Sequence, residues 1–599
     1  MPRSLTVFAA LLLTAVAARA ADVDPRVIAA RKVLDAYHAK DPVPADRKLA
    51  VVLWTPADRE PAPQFRQRLT RVMTDVRGFY FAEMTRLGLG GRTIRLDLAA
   101  DGLLNVHVVK GAKPYAAYDV KSGSDIRKEC LPALRAAGVD PDHATLVIFC
   151  NMSNYDPAAG TVNQNSPYYA GGGARGGTAW QVDSPILDAD LIGKTEPMVR
   201  DGQYGRISVG KYNSIFVGGV CHELGHALGL PHDAERADEK KTMGTSLMGS
   251  GNRTYGQDRR GEGKGSFLSL ADGLRLASHP MFSGSAKGVD SKANAKLEDV
   301  AVAAAEGGKS FSLTARATAD VPVYAVVGYM DPAGGDDYDA TTAVAVPDAA
   351  GKFTLVCDAL KAGKPATLRV VVLTANGNGI GDRTFALPYA VAADGTVDLS
   401  AYTAAQALAP LAKAVNANDA ATAAAELKKL EAAKADAKTL AAARTLAGTL
   451  GFKPGAAPAE AAGGACQLSE AAWSAARVGW GKPTVNRLPG DTAVIRVGGT
   501  LFARGLYAHA PSAYKWDLGG KWKTLTAKAG VADGFDGSVV FVALGDGKEL
   551  WRSAKTKGGA LLDVKVDVAG VRELELRVEN AGDGNNGDWA VWAEPAVSR

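Results

Sequence analysis

Three of the eight histidines in the chain fall within one short run, Cys221-His222-Glu223-Leu224-Gly225-His226-Ala227-Leu228-Gly229-Leu230-Pro231-His232-Asp233. Residues four apart on an α-helix share a face, so His222 and His226 can present two imidazoles to one ion. Glu223 follows the first ligand, where a carboxylate reaches a metal-bound water without being a ligand itself. Gly229 lets the chain leave the helix in a conformation closed to most residues, and that turn brings His232 round as a third nitrogen. Three neutral imidazoles with an open fourth position make a catalytic Zn2+ site, whose bound water ionises near about pH 7. The five-residue core of this pattern also occurs in ordinary amphipathic helices with surface histidines. The extension to His232 is what sets this run apart. A structural zinc site would need a fourth protein ligand. The nearest, Cys221, projects about 100° round the helix from His222.

The segments that must position these residues alternate between strand and helix. Val27 to His38 reads as a short helix, Leu49 to Trp54 as a buried strand, and Pro63 to Leu87 as a helix by apolar spacing. Thr93 to Leu98 and Val106 to Val109 read as strands. Ser124 to Ala137 is a helix capped by Ser124, and Ala144 to Cys150 a strong strand. Pro157 to Gly177, rich in Gly, Asn, Pro and Tyr, reads as a loop or irregular edge. Ser214 to Leu228 is the helix that enters the histidine motif. Gly171 to Trp180 is either an edge strand that pairs with an extended peptide or a flexible loop.

The pattern HExxHxxGxxH resembles that of metzincin metallopeptidases, which also carry a methionine turn downstream. Met248, in Thr245-Ser246-Leu247-Met248-Gly249-Ser250, lies sixteen residues beyond His232 and is the candidate turn residue. The HELGH…LGLPHD form, with Asp233 after the third histidine, is most similar to the adamalysin and matrixin branches. The resemblance covers roughly residues 44–284. It implies zinc held by His222, His226 and His232, with Glu223 as general base for peptide-bond hydrolysis. Two features depart from relatives: no cysteine precedes Cys130, so a propeptide cysteine switch is absent. Ser250 also stands where astacins and serralysins carry a tyrosine. The nearest tyrosine, Tyr255, has either a transition-state role or a packing one, and packing is the simpler assignment.

After about Gly284 the character changes. Residues 297–400 hold short alternating runs, the pattern of a small antiparallel β-sandwich. Residues 401–450 are Ala-, Leu-, Lys- and Glu-rich helix formers, and Pro454 to Gly464 reads as a linker. From about Leu468, Gly498 to Ala510, Trp522 to Gly530, Val540 to Ser553, Leu574 to Val578 and Asp588 to Glu594 resemble, in order, the NPCBM family of carbohydrate-binding β-sandwiches with a galactose-binding-like fold. Sugar rings stack on exposed aromatic faces, which makes Trp480, Tyr507 and Trp589 candidate glycan-binding residues. Each is equally a candidate for the core. Trp592 reads as core, and His509 as a buried, hydrogen-bonded histidine.

The predicted fold class is multidomain: an α/β metzincin-like catalytic domain, an all-β sandwich, an Ala-rich helical connector and a C-terminal galactose-binding-like β-sandwich. The divisions are 1–20 as signal peptide, 21–284, 285–400, 401–465 and 466–599. Arg3, the apolar stretch Leu5 to Ala17 and the small residues Ala18 and Ala20 form the signal pattern, and predict secretion to an extracellular or periplasmic compartment. A Cys130–Cys150 bridge is open in that compartment. Over 599 residues, 69 Lys+Arg against 64 Asp+Glu is too even a balance for a nucleic-acid partner. No apolar run past the N-terminus is long enough to span a membrane. The expected function is a secreted zinc endopeptidase directed to glycans or glycoproteins by its C-terminal module. The alternatives are a glycan-binding adhesin with an inactive zinc domain, against which Glu223 argues, and a glycoside hydrolase, against which the complete zinc motif argues.

Overall fold

The computed structural model describes residues 23–334, 337–381, 386–490, 493–535 and 537–599. The predicted signal segment lies outside the described residues.

The first helix, α1 (Pro25–Ala39), starts at a Pro after the N-cap Asp24 and buries Val27, Ala30 and Leu34. Three fully or largely apolar strands follow at intervals: β1 (Ala50–Thr55), β2 (Val106–Lys110) and β3 (Thr145–Cys150). Helices α2 (Phe65–Arg86) and α3 (Gly123–Ala136) connect them. With β6 (Tyr169–Gly172) and β7 (Gly177–Val182) they form one sheet, ordered β2-β1-β3-β7-β6. The first four strands are parallel and β6 runs antiparallel at the edge. β4 (Ser153–Asp156), β5 (Thr161–Gln164), β8 (Met198–Asp201) and β9 (Gly205–Ser208) make a second small sheet. Two expectations change here. Thr93 to Leu98 makes only isolated bridges, Leu49 to Leu96 and Leu98 to Leu104. The Gly-, Asn- and Tyr-rich stretch from Pro157 contains β5, paired on both sides, and β6, at a sheet edge.

Helix α4 (Val209–Ala227) begins five residues before its predicted start, where the Ser208 hydroxyl accepts the Lys211 amide at 3.0 Å. It is buried on nearly every side. A helix in that position must let neighbours close in, and its glycines do so. A Cβ at Gly218 would lie 2.5 Å from Tyr255 Cβ, and one at Gly219 would lie 2.4 Å from the Tyr168 hydroxyl. α2 packs along it through Leu69, Val72, Met73, Val76, Tyr80 and Met84, one stripe at helical spacing, and the Tyr80 hydroxyl donates to the Cys221 carbonyl at 2.9 Å. Below the motif, α5 (Leu270–Ala277) is closed by a capping box of Ser269 and Asp272.

A β-sandwich follows, with β10 (Ala295–Ala304), β11 (Phe311–Ala319) and β14 (Lys352–Cys357) in one sheet. β12 (Val323–Pro332), β13 (Thr341–Ala345), β15 (Lys364–Thr374) and β16 (Ala386–Val391) belong to the other. No gap separates it from the preceding domain. Tyr324, Ala325, Val327, Tyr329 and Leu373 belong to the same apolar cluster as α1, α2 and α4. Three helices, α6 (Ser400–Asn416), α7 (Ala420–Ala432) and α8 (Ala437–Gly448), form a small bundle. The predicted linker is held down: the Trp522 indole donates to the Pro458 carbonyl at 3.2 Å, and the Gly455 amide to Glu470 at 2.8 Å. The remaining residues form two facing antiparallel sheets around Trp516, Trp522, Phe541 and Trp592. All five cysteines are free thiols, so the Cys130–Cys150 bridge is not formed; both side chains are buried on α3 and β3. Among the described residues no helix is long and apolar enough to cross a membrane.

Candidate metal centre and its surroundings

His222 and His226 project from the last turns of α4, and Gly229, at φ +92°, turns the chain so that His232 returns to them. A side chain at Gly229 would also press within 3.1 Å of Gly173 Cα. The Arg275 guanidinium fixes the turn from below, donating to the Gly229 carbonyl from Nη2 at 2.8 Å. His226 Nε2 stands 3.1 Å from His222 Nε2 and 3.0 Å from His232 Nε2. The Nδ1 atoms of the first two face backbone carbonyls, Leu247 at 2.6 Å and Leu230 at 2.8 Å. A carbonyl only accepts, so each Nδ1 carries the hydrogen and each Nε2 turns a bare lone pair inward. Burial pushes His222 down to about 3 and lowers His226, which keeps both neutral.

Converging lone pairs repel unless a cation sits among them. The donor set therefore fits a metal ion, and these three histidines group as one potential metal site. Zinc–nitrogen bonds of about 2.05 Å at tetrahedral angles place donor nitrogens roughly 3.3 Å apart, close to the spacing seen here. Glu223 is buried beside the cluster and is not part of it, and burial pushes its carboxyl up to about 8. Met248 lies beneath, its Sδ 2.5 Å from where a Gly225 Cβ would stand, and its neighbour Leu247 supplies the carbonyl that orients His222. Asp233 turns inward. It accepts the Ser246 hydroxyl, and burial raises both it and its neighbour Asp272.

Two site residues had no sequence signal. Tyr338, on the loop between β12 and β13, stacks on His232 with ring centroids 3.6 Å apart and lies parallel to His222 at 6.5 Å. It is 48% exposed. Its loop is tied to the motif by the Ala234 amide, which donates to the Ala340 carbonyl at 2.7 Å. No pattern within residues 21–284 reports a ring delivered from the sandwich. The second is Tyr168, whose hydroxyl accepts from Asn252 at 2.9 Å and is raised by burial and then by the Glu223 carboxyl. Tyr255 does not take part, because its buried hydroxyl donates to Asp75 at 2.6 Å.

The hairpin β6–β7 lies against the end of α4. A Cβ at Gly177 or Gly172 would come within 2.0 or 2.2 Å of the Ala227 carbonyl oxygen. The glycines there answer close packing and not flexibility. The outer edge of β6 pairs with no other strand among the described residues.

In the C-terminal module, Trp480 is 54% exposed and packs 5.2 Å from half-buried Trp589, which stacks on Phe535 at 4.1 Å. Tyr507 is fully buried, and its hydroxyl reaches the Trp480 carbonyl at 3.3 Å. It has no free face to offer a sugar, and leaves the candidate set because its strand crosses under the aromatic pair. His509 is buried and hydrogen-bonded to the Ala510 carbonyl, and Trp592 is core.

A family model described as the NPCBM/NEW2 domain matches residues 464–598. A curated protein of Renibacterium salmoninarum, whose name assigns it an endo-alpha-N-acetylgalactosaminidase activity, is 34% identical over 123 residues, 19% of this chain. The match spans only 8% of that relative's length. Among solved structures, the catalytically inactive OgpA of Akkermansia muciniphila in complex with an O-glycopeptide is 23% identical, with a TM-score of 0.49 over 58% of this chain and 94% of that one. The M60 catalytic domain of Clostridium perfringens ZmpB with its two CBM51 domains is 13% identical, with a TM-score of 0.22 over 65% and 40%. The part of the chain that matches a family model is thus its C-terminal β-sandwich, residues 464–598.

Proposed function

We propose that the chain is a secreted, zinc-dependent endopeptidase of metzincin type that cleaves peptide bonds in glycoproteins. The observation that carries this reading is the trio of converging imidazoles with Glu223 buried beside them and outside the ligand set. His222, His226 and His232 would hold the ion. Zinc in such a site supplies a Lewis acid and an acidified water. Glu223 would take a proton from the attacking water and deliver it to the leaving amine. The free edge of β6 supports an extended peptide by main-chain pairing beside the ion site. The NPCBM/NEW2 domain supports a glycan-bearing substrate. Secretion rests on the charged, apolar and small-residue pattern of residues 1–20.

The test is hydrolysis of casein and of a heavily glycosylated protein by the purified chain. Cleavage should stop with a chelator, return with zinc and be absent from Glu223→Ala. Glycan binding with cleavage of neither protein would instead favour the adhesin.

A further inference from the structure

A cleft of about 630 Å³ opens between the β-sandwich and the C-terminal module. Its lining includes Pro231, next in the chain to His232, and Asp337, next to Tyr338. The lining thus includes the chain neighbours of His232 and of the Tyr338 that covers it. Its volume falls in the range of ligand pockets.

The sandwich wall is the face of two paired strands. Tyr329 and Asp331 of β12 lie opposite Arg369 and Thr367 of β15, and alternate residues of a strand share a face. The main-chain groups of that wall are spent within the sheet, so it cannot accept a peptide by strand addition and offers side chains only. The far wall is Phe535, Asp533 and Lys557 of the module. Glycines bring the walls together: a Cβ on Gly559 would stand 2.9 Å from Ala333, and one on Gly499 3.4 Å from Pro365.

The charged lining balances. Three carboxylates, Asp331, Asp337 and Asp533, face three cations, Arg275, Arg369 and Lys557. Neither an anion nor a cation gains from such a surface, whereas a neutral polyol can donate to the carboxylates and accept from the guanidinium groups. Proline rings supply the apolar patches on which sugar rings pack, and Phe535, 6% exposed, backs the module wall. Tyr329 adds a buried hydroxyl with no partner in the free protein.

We propose that this cleft receives a neutral saccharide carried by the substrate close to the scissile bond. The module is then a wall of the substrate site and not a tethered targeting arm. The inference rests on the glycoprotein-peptidase reading for its substrate, and deepens it.

The experiment uses the full Glu223→Ala chain, so that binding is read without turnover. The probes are a synthetic peptide carrying one serine-linked galactosyl-N-acetylgalactosamine and the same peptide bare. Calorimetry should show the glycosylated peptide binding at least about tenfold tighter. Thr367→Trp, which fills the cleft from the sandwich face, should erase that advantage, and Phe535→Ala, on the module wall, should reduce it. Melting temperature and zinc content report folding for each, and either variant alone carries the test if the other fails to fold. Equal binding of the two peptides, or an advantage that survives the folded cleft variants, overturns the inference. So does an advantage lost in Trp480→Ala and kept in both cleft variants, which places the sugar on the module's outer face. Failure of the peptidase reading looks different: the chain with Glu223 intact cleaves neither peptide, while the binding measurements still report on the cleft.

Discussion

His222 and His226 hand their Nδ1 hydrogens to fixed carbonyls, so their lone pairs are set before any ion arrives. His232 is covered by the Tyr338 ring at 3.6 Å. Three predictions concern these residues. His222→Ala or His226→Ala leaves two nitrogens, and metal analysis of the purified proteins should find zinc lost from both. Glu223→Ala removes a proton carrier and no ligand, so zinc should stay while peptide hydrolysis falls by about a hundredfold or more. Tyr338 acts through the imidazole it covers. Tyr338→Ala should release zinc to a competing chelator about tenfold more readily, and Tyr338→Phe, which keeps the stacked ring, should match the parent. A Tyr338→Phe protein with normal zinc affinity and sharply lower kcat would show that the hydroxyl itself meets the substrate.

At the scale of elements, the contact that places the site is between the end of α4 and the β6–β7 hairpin. Gly171 and Gly177 both sit in that hairpin with ordinary negative φ, yet only one has neighbours. A Cβ at Gly177 would fall 2.0 Å from the Ala227 carbonyl oxygen, and one at Gly171 meets nothing within 4 Å. Gly177→Ala should therefore cost about 1–3 kcal/mol in denaturant unfolding and loosen zinc binding. Gly171→Ala should do neither. Composition alone read this stretch as an edge strand or a flexible loop, because a glycine needed for closeness and a glycine needed for flexibility are the same letter. The histidine motif was readable, since helix periodicity and one turn glycine place all three nitrogens. The five alternating α/β elements before it, β1 to β3 with α2 and α3 between them, were readable too, from apolar runs and helical spacing. The start of α4 was missed because Val209 to Asn213 combines Gly210, a poor helix former, with Lys211 and Asn213, and so gives no helical apolar stripe although it is largely buried. Tyr338 was out of reach because its contact with His232 joins segments more than a hundred residues apart.

The whole molecule is tied together where the sequence suggested spacers. The helical bundle closes its apolar face with Ala493 and Leu501 of the module, packed among Leu408, Leu411, Val415 and Leu446. The presumed linker hands carbonyls and an amide to the module, and Gly499 and Gly559 meet the sandwich directly. Removing residues 464–599 would uncover several leucine and valine side chains, each worth about 1.5–3 kcal/mol when buried. The full chain should melt in one cooperative step from the helical bundle onward. A chain ending at residue 463 should melt lower, bind a hydrophobic dye and still hold its zinc, because the three imidazoles and the carbonyls that orient His222 and His226 all precede residue 250. Differential scanning calorimetry of the two chains decides the matter. A separate transition for the module, with the remaining transition unchanged on truncation, would show independent units joined by a tether. A shared transition that shifts down on truncation would show that the module helps to hold the helical bundle and the cleft wall in place.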